Sequence, residues 1–236
     1  MQQVFLESRD LLKRMSQALW KKEPFSLVRV GDGENLVLSQ DTVWPVSKVL
    51  EERWAIKASK GQKGLYLPNI PLRDAVAASI RNASVVGILP YNDDMIKAPD
   101  YLKRPLTDQV FRHFDLSPPL ICHAGVNREL AEMREFWRLL KQRRILIVTR
   151  EAEQLHQRLE QPPYSLHIVK ALPFDHWGQY RQTIDWITSH AASFDIALFS
   201  CGVNAVVLAE RTMALTGKIA LDFGKAANIV LKGRAN

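Results

Sequence analysis

The fold is decided by the stretch Phe25-Ser26-Leu27-Val28-Arg29-Val30-Gly31-Asp32-Gly33-Glu34. Its first six residues are mostly apolar, which is typical of a strand buried within a parallel sheet. The apolar run stops at Gly31, and two carboxylates follow with a second glycine between them. This pattern predicts a buried strand that leads directly into a polar turn at the edge of a sheet.

Asp32 and Glu34 carry the chemistry of this predicted turn. Because residues two apart in an extended chain point to the same side, we expect both carboxylates to converge on one ligand. Gly31 and Gly33 allow the backbone to adopt positive φ or to approach a ligand closely, and Arg29 adds a permanent positive charge. These residue types suit a divalent metal ion held against a phosphate group.

A hairpin turn is the alternative interpretation, because an Asp-Gly pair after a strand is also common in hairpins. A hairpin requires a second, returning strand, and residues 35–40 would supply only a short one. The hairpin interpretation is therefore weakened, but it stays open beside the metal-site interpretation.

The rest of the chain alternates apolar runs with segments of helical periodicity. Further strands are predicted at 66–68, 84–90, 120–125, 144–149, 165–169, 196–201 and 218–222. Helices are predicted at 7–22, 47–60, 73–82, 110–114, 127–140, 151–159, 179–190 and 205–215. Because most of the strands are continuously apolar, we predict an α/β fold: a single Rossmann-like domain over residues 1–236, with a mainly parallel sheet and helices on both faces.

Composition bounds the function without identifying it. The 236 residues carry a net charge of +7, so acidic partners such as nucleotides, nucleic acid or anionic lipid headgroups are expected. The positive charge is dispersed and no basic patch is interleaved with aromatic residues, so nucleic acid is the least expected of these. Cys122 and Cys201 lie in apolar runs and are predicted to be buried free thiols. We expect a cytoplasmic protein, with peripheral contact to a membrane as a further expectation.

Further candidate site residues follow the last two predicted strands, because ligands bind beyond the carboxyl ends of parallel strands. Gly202 opens a helix with Asn204 as its predicted N-cap, and the free N–H groups there suit a phosphate. A tight strand-to-helix turn explains the same residues equally well. Asp222 is a candidate contact to ribose or acceptor, or a helix cap, and Lys225 is a candidate phosphate contact or a solvated cation.

Two blocks of the sequence resemble one protein family. Residues 29–34 resemble the Arg-x-Gly-Asp-Gly-Glu signature of the bacterial GT-D-type glycosyltransferases. Residues 195–228 resemble the strand, glycine, helix, strand and Asp-x-Gly pattern that closes the domain in that family. The two blocks lie near opposite ends, so the resemblance spans most of the chain.

The resemblance implies a GT-D-type fold and a metal-dependent glycosyltransferase. This enzyme would move a hexose from a nucleoside-diphosphate sugar, expected to be a UDP-sugar, to a surface-glycan or glycoprotein acceptor. It implies that Asp32 and Glu34 are the catalytic residues that bind Mn²⁺ or Mg²⁺ beside the donor diphosphate. The expected donor-binding residues are Arg29, Gly31, Gly33, Gly202, Asn204, Asp222 and Lys225.

Two points stay open at the level of the sequence. The general base for an acceptor hydroxyl is not chosen among Asp93, Asp94, Glu151 and Asp175. A non-catalytic nucleotide-binding or regulatory domain of the same Rossmann-like fold is the alternative function.

Overall fold

The computed structural model describes residues 3–234, and within them one sheet contains eight strands, all parallel. The strands are β1 (Val4–Leu6), β2 (Phe25–Val30), β3 (Val85–Ile88), β4 (Leu120–His123), β5 (Arg144–Thr149), β6 (His167–Pro173), β7 (Ile196–Ser200) and β8 (Ile219–Asp222). Their spatial order is β1-β4-β3-β2-β8-β7-β5-β6. The predicted α/β class with a mainly parallel sheet is confirmed.

Twelve α-helices accompany the sheet in the described part of the chain. They are α1 (Ser8–Lys21), α2 (Asp32–Ser39), α3 (Val46–Glu51), α4 (Arg53–Ser59), α5 (Ile70–Asn82), α6 (Arg104–His113), α7 (Val126–Glu132), α8 (Arg134–Leu140), α9 (Ala152–Glu160), α10 (Tyr180–Ser189), α11 (Asn204–Thr216) and α12 (Ala226–Lys232). Between residues 3 and 234, no helix combines the length and the apolar character that crossing a bilayer requires.

The helices cover both faces of the sheet, as predicted. Alternate residues of each central strand face opposite sides: in β2, Leu27 belongs to one hydrophobic cluster and Val28 to the other. The face that carries Val28 is covered by α2 to α6, α10 and α11, and the face that carries Leu27 by α1, α7, α8, α9 and α12. The strands therefore read as continuous apolar runs because both of their faces are buried.

Neighbouring strands β2 and β8 send the chain to opposite faces of the sheet. The chain leaves β2 into α2 on one face, and it leaves β8 into α12 on the other. Diverging connections between adjacent parallel strands open a crevice at their carboxyl ends, which is where open α/β sheets bind ligands. The order of the strands thus predicts a ligand-binding site at the carboxyl end of β2, where residues 31–34 lie.

The structure contradicts the hairpin and also the extended turn at Asp32 and Glu34. Both carboxylates lie in the first turn of α2, where residues two apart are separated by about 200° around the helix axis. Acidic residues favour this position because they complement the positive end of the helix dipole. The buried residues Leu36, Val37 and Leu38 then fix the helix against the sheet.

Other differences have local causes. Strand β1 and helix α12 were not predicted because three and seven residues are too few for a periodicity. The single helices predicted over 47–60 and 127–140 are each broken into two, since Glu52 and Met133 adopt extended backbone at the breaks. Residues 66–68 form no strand.

Asn35 anchors α2, and with it the first-turn carboxylates, to the neighbouring elements. Its fully buried side-chain nitrogen donates hydrogen bonds to the carbonyls of Leu102 and Lys103, at 2.8 and 3.1 Å, and to the Thr107 hydroxyl, at 2.9 Å. The two N–H groups of this amide are thus shared among three buried acceptors.

We predict that Asn35→Ala lowers the free energy of unfolding by about 2 kcal/mol or more, because it leaves buried acceptors without a donor. Asn92→Ala, at an exposed position, is the matched control and should change little. Urea denaturation of both variants measures the difference. An equal, small effect at the two positions would show that Asn35 does not anchor the helix.

Candidate functional site

A cleft of about 830 Å³ opens at the carboxyl ends of the central strands. The turn after β2 and the turn after β7 both line it, although they are far apart in sequence. Of the predicted site residues, those that line the cleft are Arg29, Gly31, Asp32, Gly33, Glu34, Gly202 and Lys225. Asn204 and Asp222 lie beneath it.

Arg29 ties three strand ends together at the base of the cleft. Its guanidinium donates to the Asp222 carbonyl through Nε (3.2 Å) and to the Asp222 carboxylate through Nη2 (2.7 Å). Nη1 donates to the Ala124 carbonyl (2.9 Å) and to the Asn127 side-chain oxygen (3.2 Å). Burial lowers the pKa of Arg29, but the charge of Asp222, the hydrogen bond to Asp222 and the charge of Glu34 together outweigh burial, and the pKa is raised. Arg29 is therefore chiefly a clamp between β2, β4 and β8.

Asp222 is the partner in this clamp, not a wall of the cleft. Its side chain is 1% exposed and ion-paired with Arg29. The expected direct contact of Asp222 with ribose or acceptor is therefore not what this arrangement offers, because the carboxylate is turned toward the partly buried Arg29 guanidinium.

Two glycines make room for the Arg29 side chain. At Gly87 of β3, a Cβ atom would come within 3.1 Å of the Arg29 side chain. At Gly224, where φ is +42°, a Cβ atom would overlap the guanidinium itself. The glycine of the Asp-x-Gly pattern is thus required by a close approach as well as by its left-handed backbone.

Asp32 and Glu34 have different environments in the first turn of α2. Glu34 accepts a hydrogen bond from the Gly31 backbone N–H (2.9 Å), so one of its oxygens caps the helix. Burial, followed by the nearby charge of Asp222, raises the pKa of Glu34 to about 7. Burial also raises the pKa of Asp32. Both groups gain from a cation placed beside them.

The donor set bears on the expected metal ion. Carboxylate oxygens are hard ligands of the kind that Mg²⁺ and Mn²⁺ prefer. Within residues 3–234, no group of three or more His, Cys, Asp or Glu side chains is placed to hold a metal. Asp32 and Glu34 supply at most two side-chain ligands, so a hard ion bound there would need further oxygens from substrate and water.

Lys57, Lys63 and Lys225 line the cleft together with Asp32 and are called the lysine group below. The pKa of Lys63 is lowered by burial and then by the positive charges of Lys57 and Lys225, while Asp32 opposes the shift. Like charges held this close are costly unless an anion lies among them, so this group is suited to binding phosphate oxygens.

Trp54 of α4 forms an aromatic wall next to the lysine group. Its indole lies directly over Gly33, where a Cβ atom would come within 2.8 Å of the ring. Lys63 stands 6.0 Å from the ring centroid. Position 33 must therefore be a glycine for the indole to pack there, because a Cβ atom at this position would displace the ring.

Asn204 holds the loop that carries Lys63 in place instead of capping a helix. It is the first residue of α11, and Val203 is the N-cap, which corrects the prediction. Its buried side-chain nitrogen donates to the carbonyls of Gly64 (3.0 Å) and Cys201 (3.2 Å). The tight turn at Gly202, with φ of +59°, directs Asn204 inward toward the loop that carries Lys63.

The four candidate bases differ in position. Glu151 lines the cleft next to Thr149. Asp93 is buried and pairs with Lys103 and His123, and Asp175 pairs with Arg150 in an exposed ion pair. Asp94 is exposed and does not line the cleft. Among these carboxylates, Glu151 is the one that the cleft presents to a ligand.

The cleft is also lined by residues that were not predicted to belong to the site: Arg53, Trp54, Lys57, Lys63, Lys97 and Arg128. A local signal existed for two of them, because Lys57 and Lys63 belong to a lysine- and glycine-rich segment over 57–64. Trp54 and Arg128 lie on helices that read as ordinary amphipathic surfaces, so their approach to the cleft depends on tertiary packing.

Comparison with protein-family models agrees with this geometry. A model described as the GT-D fold-like domain matches residues 6–230. The chain belongs to the GT-D-like family. Comparisons with curated proteins and with solved structures find no match. Membership confirms the family resemblance and relates this GT-D-like chain to glycosyltransferases.

The Arg29 clamp makes a stability prediction for the GT-D-like chain. Arg29→Lys should lower the free energy of unfolding by about 3 kcal/mol, because a lysine cannot supply the forked donors and leaves Asp222 buried and poorly paired. Arg150→Lys is the matched control, since its ion pair with Asp175 is half exposed and worth about 1 kcal/mol at most. Urea denaturation should separate the variants clearly. Equal losses would mean that the buried pair is no clamp.

Proposed function

We propose that this protein is a glycosyltransferase that moves a hexose from a UDP-sugar to a glycan or glycoprotein acceptor, with Mn²⁺ or Mg²⁺ as cofactor. The observation that carries the proposal is the meeting of two first-turn carboxylates with three lysines in one cleft of a GT-D-like chain. This combination binds a diphosphate from two sides. Neither group alone would distinguish a nucleotide-sugar site from other anion sites.

The lysines and the carboxylates have complementary tasks in the proposed reaction. Lys57, Lys63 and Lys225 would hold the diphosphate oxygens, where negative charge grows as the bond to the sugar breaks. Asp32 and Glu34 would hold the metal ion against the same diphosphate. When bound, that ion would supply Lewis-acid stabilisation of the leaving group.

Trp54 supplies a surface for a flat part of the donor. Its indole is fixed over Gly33 and lines the cleft next to the lysine group. Aromatic rings stack on nucleobases without regard to their hydrogen-bonding edges. We therefore assign the uracil ring of the donor to Trp54, with the diphosphate running toward Asp32.

Glu151 is the proposed base for the acceptor. It would accept the proton of an acceptor hydroxyl while that oxygen bonds to the sugar carbon and the diphosphate departs with its electron pair. Its position on the cleft wall after β5 supports this role. Asp93 and Asp175 are already engaged in ion pairs.

We place the reaction in the cytoplasm. Cys122 and Cys201 are buried free thiols, as predicted, and unpaired cysteines are typical of reducing compartments. The surplus of basic residues suits peripheral contact with an anionic membrane surface.

Donor turnover tests the proposed activity. Wild-type protein should release UDP from one of several UDP-hexoses, slowly with water as acceptor and only with Mn²⁺ or Mg²⁺ present. Asp32→Asn should lower this metal-dependent rate roughly 100-fold, because it removes a charged ligand beside the leaving group. Asp185→Asn, at an exposed position on α10, is the matched control.

The outcomes separate the two functions. If Asp32→Asn retains the wild-type rate at limiting Mn²⁺, the metal assignment is wrong. If the wild type binds UDP-sugars tightly and never releases UDP with any acceptor supplied, the non-catalytic nucleotide-binding domain is the better description.

The lysine group makes a separate binding prediction. Lys63→Gln should weaken UDP binding about tenfold or more, because a charge-assisted hydrogen bond to phosphate is lost. Uridine, which lacks the diphosphate, should bind both proteins alike. Lys60→Gln, three residues away and exposed, is the control in calorimetric titrations. A Lys63→Gln variant that loses affinity for uridine and UDP equally would contradict the phosphate assignment.

A further inference from the structure

Arg128 is a second cationic feature of the cleft, separate from the lysine group. It lies on α7, is partly buried, and lines the cleft. Its Nη1 donates to the Met95 carbonyl at 3.1 Å. Among residues 3–234, no carboxylate oxygen lies within 4.0 Å of an Arg128 nitrogen atom, so Arg128 forms no ion pair there.

Arg128 is also placed beside another arginine. Burial lowers its pKa, and the positive charge of Arg29 lowers it further. Arg29 is compensated by Asp222, whereas Arg128 has only the more distant Asp93 to oppose its charge. A partly buried, unpaired guanidinium next to a second one is costly, and a bound anion would remove the cost.

The neighbouring loop adds a cation on the same side. Lys97 is exposed, lines the cleft and belongs to no ion pair within the described chain. Met95, which accepts the Arg128 hydrogen bond, is on the same loop. The loop therefore presents one cation to the cleft and orients another.

The two cationic groups lie on opposite sides of β2. Lys225 follows β8, and the loop of Lys63 is bonded to Asn204 after β7, whereas Lys97 follows β3 and Arg128 follows β4. The cleft thus holds more positive charge than one metal-bound diphosphate requires, and it holds that charge in two places.

We propose that Arg128 and Lys97 form a second anion subsite, which binds a phosphate or carboxylate group of the acceptor. This proposal rests on the proposed function, because it takes the lysine group as the place of the donor diphosphate. It narrows the acceptor class to glycans that carry an acidic group near the accepting hydroxyl, either a phosphate or a uronic acid carboxylate.

Calorimetric titration with two simple probes tests the subsite. Glycerol 3-phosphate and glucuronate are titrated separately into full-length protein, first alone and then with saturating Mn²⁺ and UDP. We expect one of the probes to bind in both conditions, and its identity distinguishes a phosphate from a carboxylate. Arg128→Gln should weaken that binding about tenfold or more. With Mn²⁺ and UDP saturating, Lys63→Gln should leave binding of the probe unchanged.

Controls keep the test decisive. Arg181→Gln removes an exposed arginine outside the cleft and should bind the probe like the wild type. Should Arg128→Gln unfold, as judged by its thermal transition, Lys97→Gln on the exposed loop replaces it, with a smaller expected loss of affinity.

Two results would overturn the subsite. One is displacement of the probe by saturating UDP, because donor and probe would then share one anion site. The other is binding that is insensitive to both Arg128→Gln and Lys97→Gln. Failure of the proposed function looks different: UDP would not bind, while probe binding would still depend on Arg128.

Discussion

The buried ion pair between Arg29 and Asp222 is the constraint on which the rest of the site depends. Removing two charges from water is expensive, and a buried pair persists only where further hydrogen bonds satisfy the remaining donors and acceptors. Arg29 meets this condition through Ala124, Asn127 and the Asp222 carbonyl. The planar fork of arginine can reach all of these groups at once, which the single ammonium of a lysine cannot do. One side chain thereby fixes the relative positions of three strand ends.

The cleft exists because the chain diverges on either side of this pair. Helix α2 leaves β2 toward one face of the sheet, and α12 leaves β8 toward the other. The first turn of α2 then presents Asp32 to the crevice, and the turn before α11 brings Gly202 to the same space. Asn204 completes the arrangement, since its buried amide holds the loop that carries Lys63. Backbone topology sets the location of the site, and buried polar side chains set its shape.

Sequence patterns predict the parts of this protein that depend on local order. The run from Arg144 to Thr149 is a strand with the predicted bounds, because an apolar segment of that length has few alternatives. The helix at Asp32 was missed, since two glycines in its first turn and before it disfavour a helix locally, and packing of the following apolar residues overrides that preference. The approach of Trp54 and Arg128 to the cleft has no local signal. It depends on how whole helices pack, which spacing along one chain does not determine.

The helical placement of Asp32 and Glu34 changes how the proposed metal site would work. Two carboxylates on an extended chain would face one ion together, whereas on a helix they diverge, and one Glu34 oxygen already caps Gly31. The protein then offers fewer ligands than a hard divalent ion needs, and donor oxygens complete the shell. Under the proposed function, metal and donor must therefore strengthen each other's binding by the same factor. The three lysines strengthen this coupling, because their positive charges attract the diphosphate and repel a metal ion that binds without the donor.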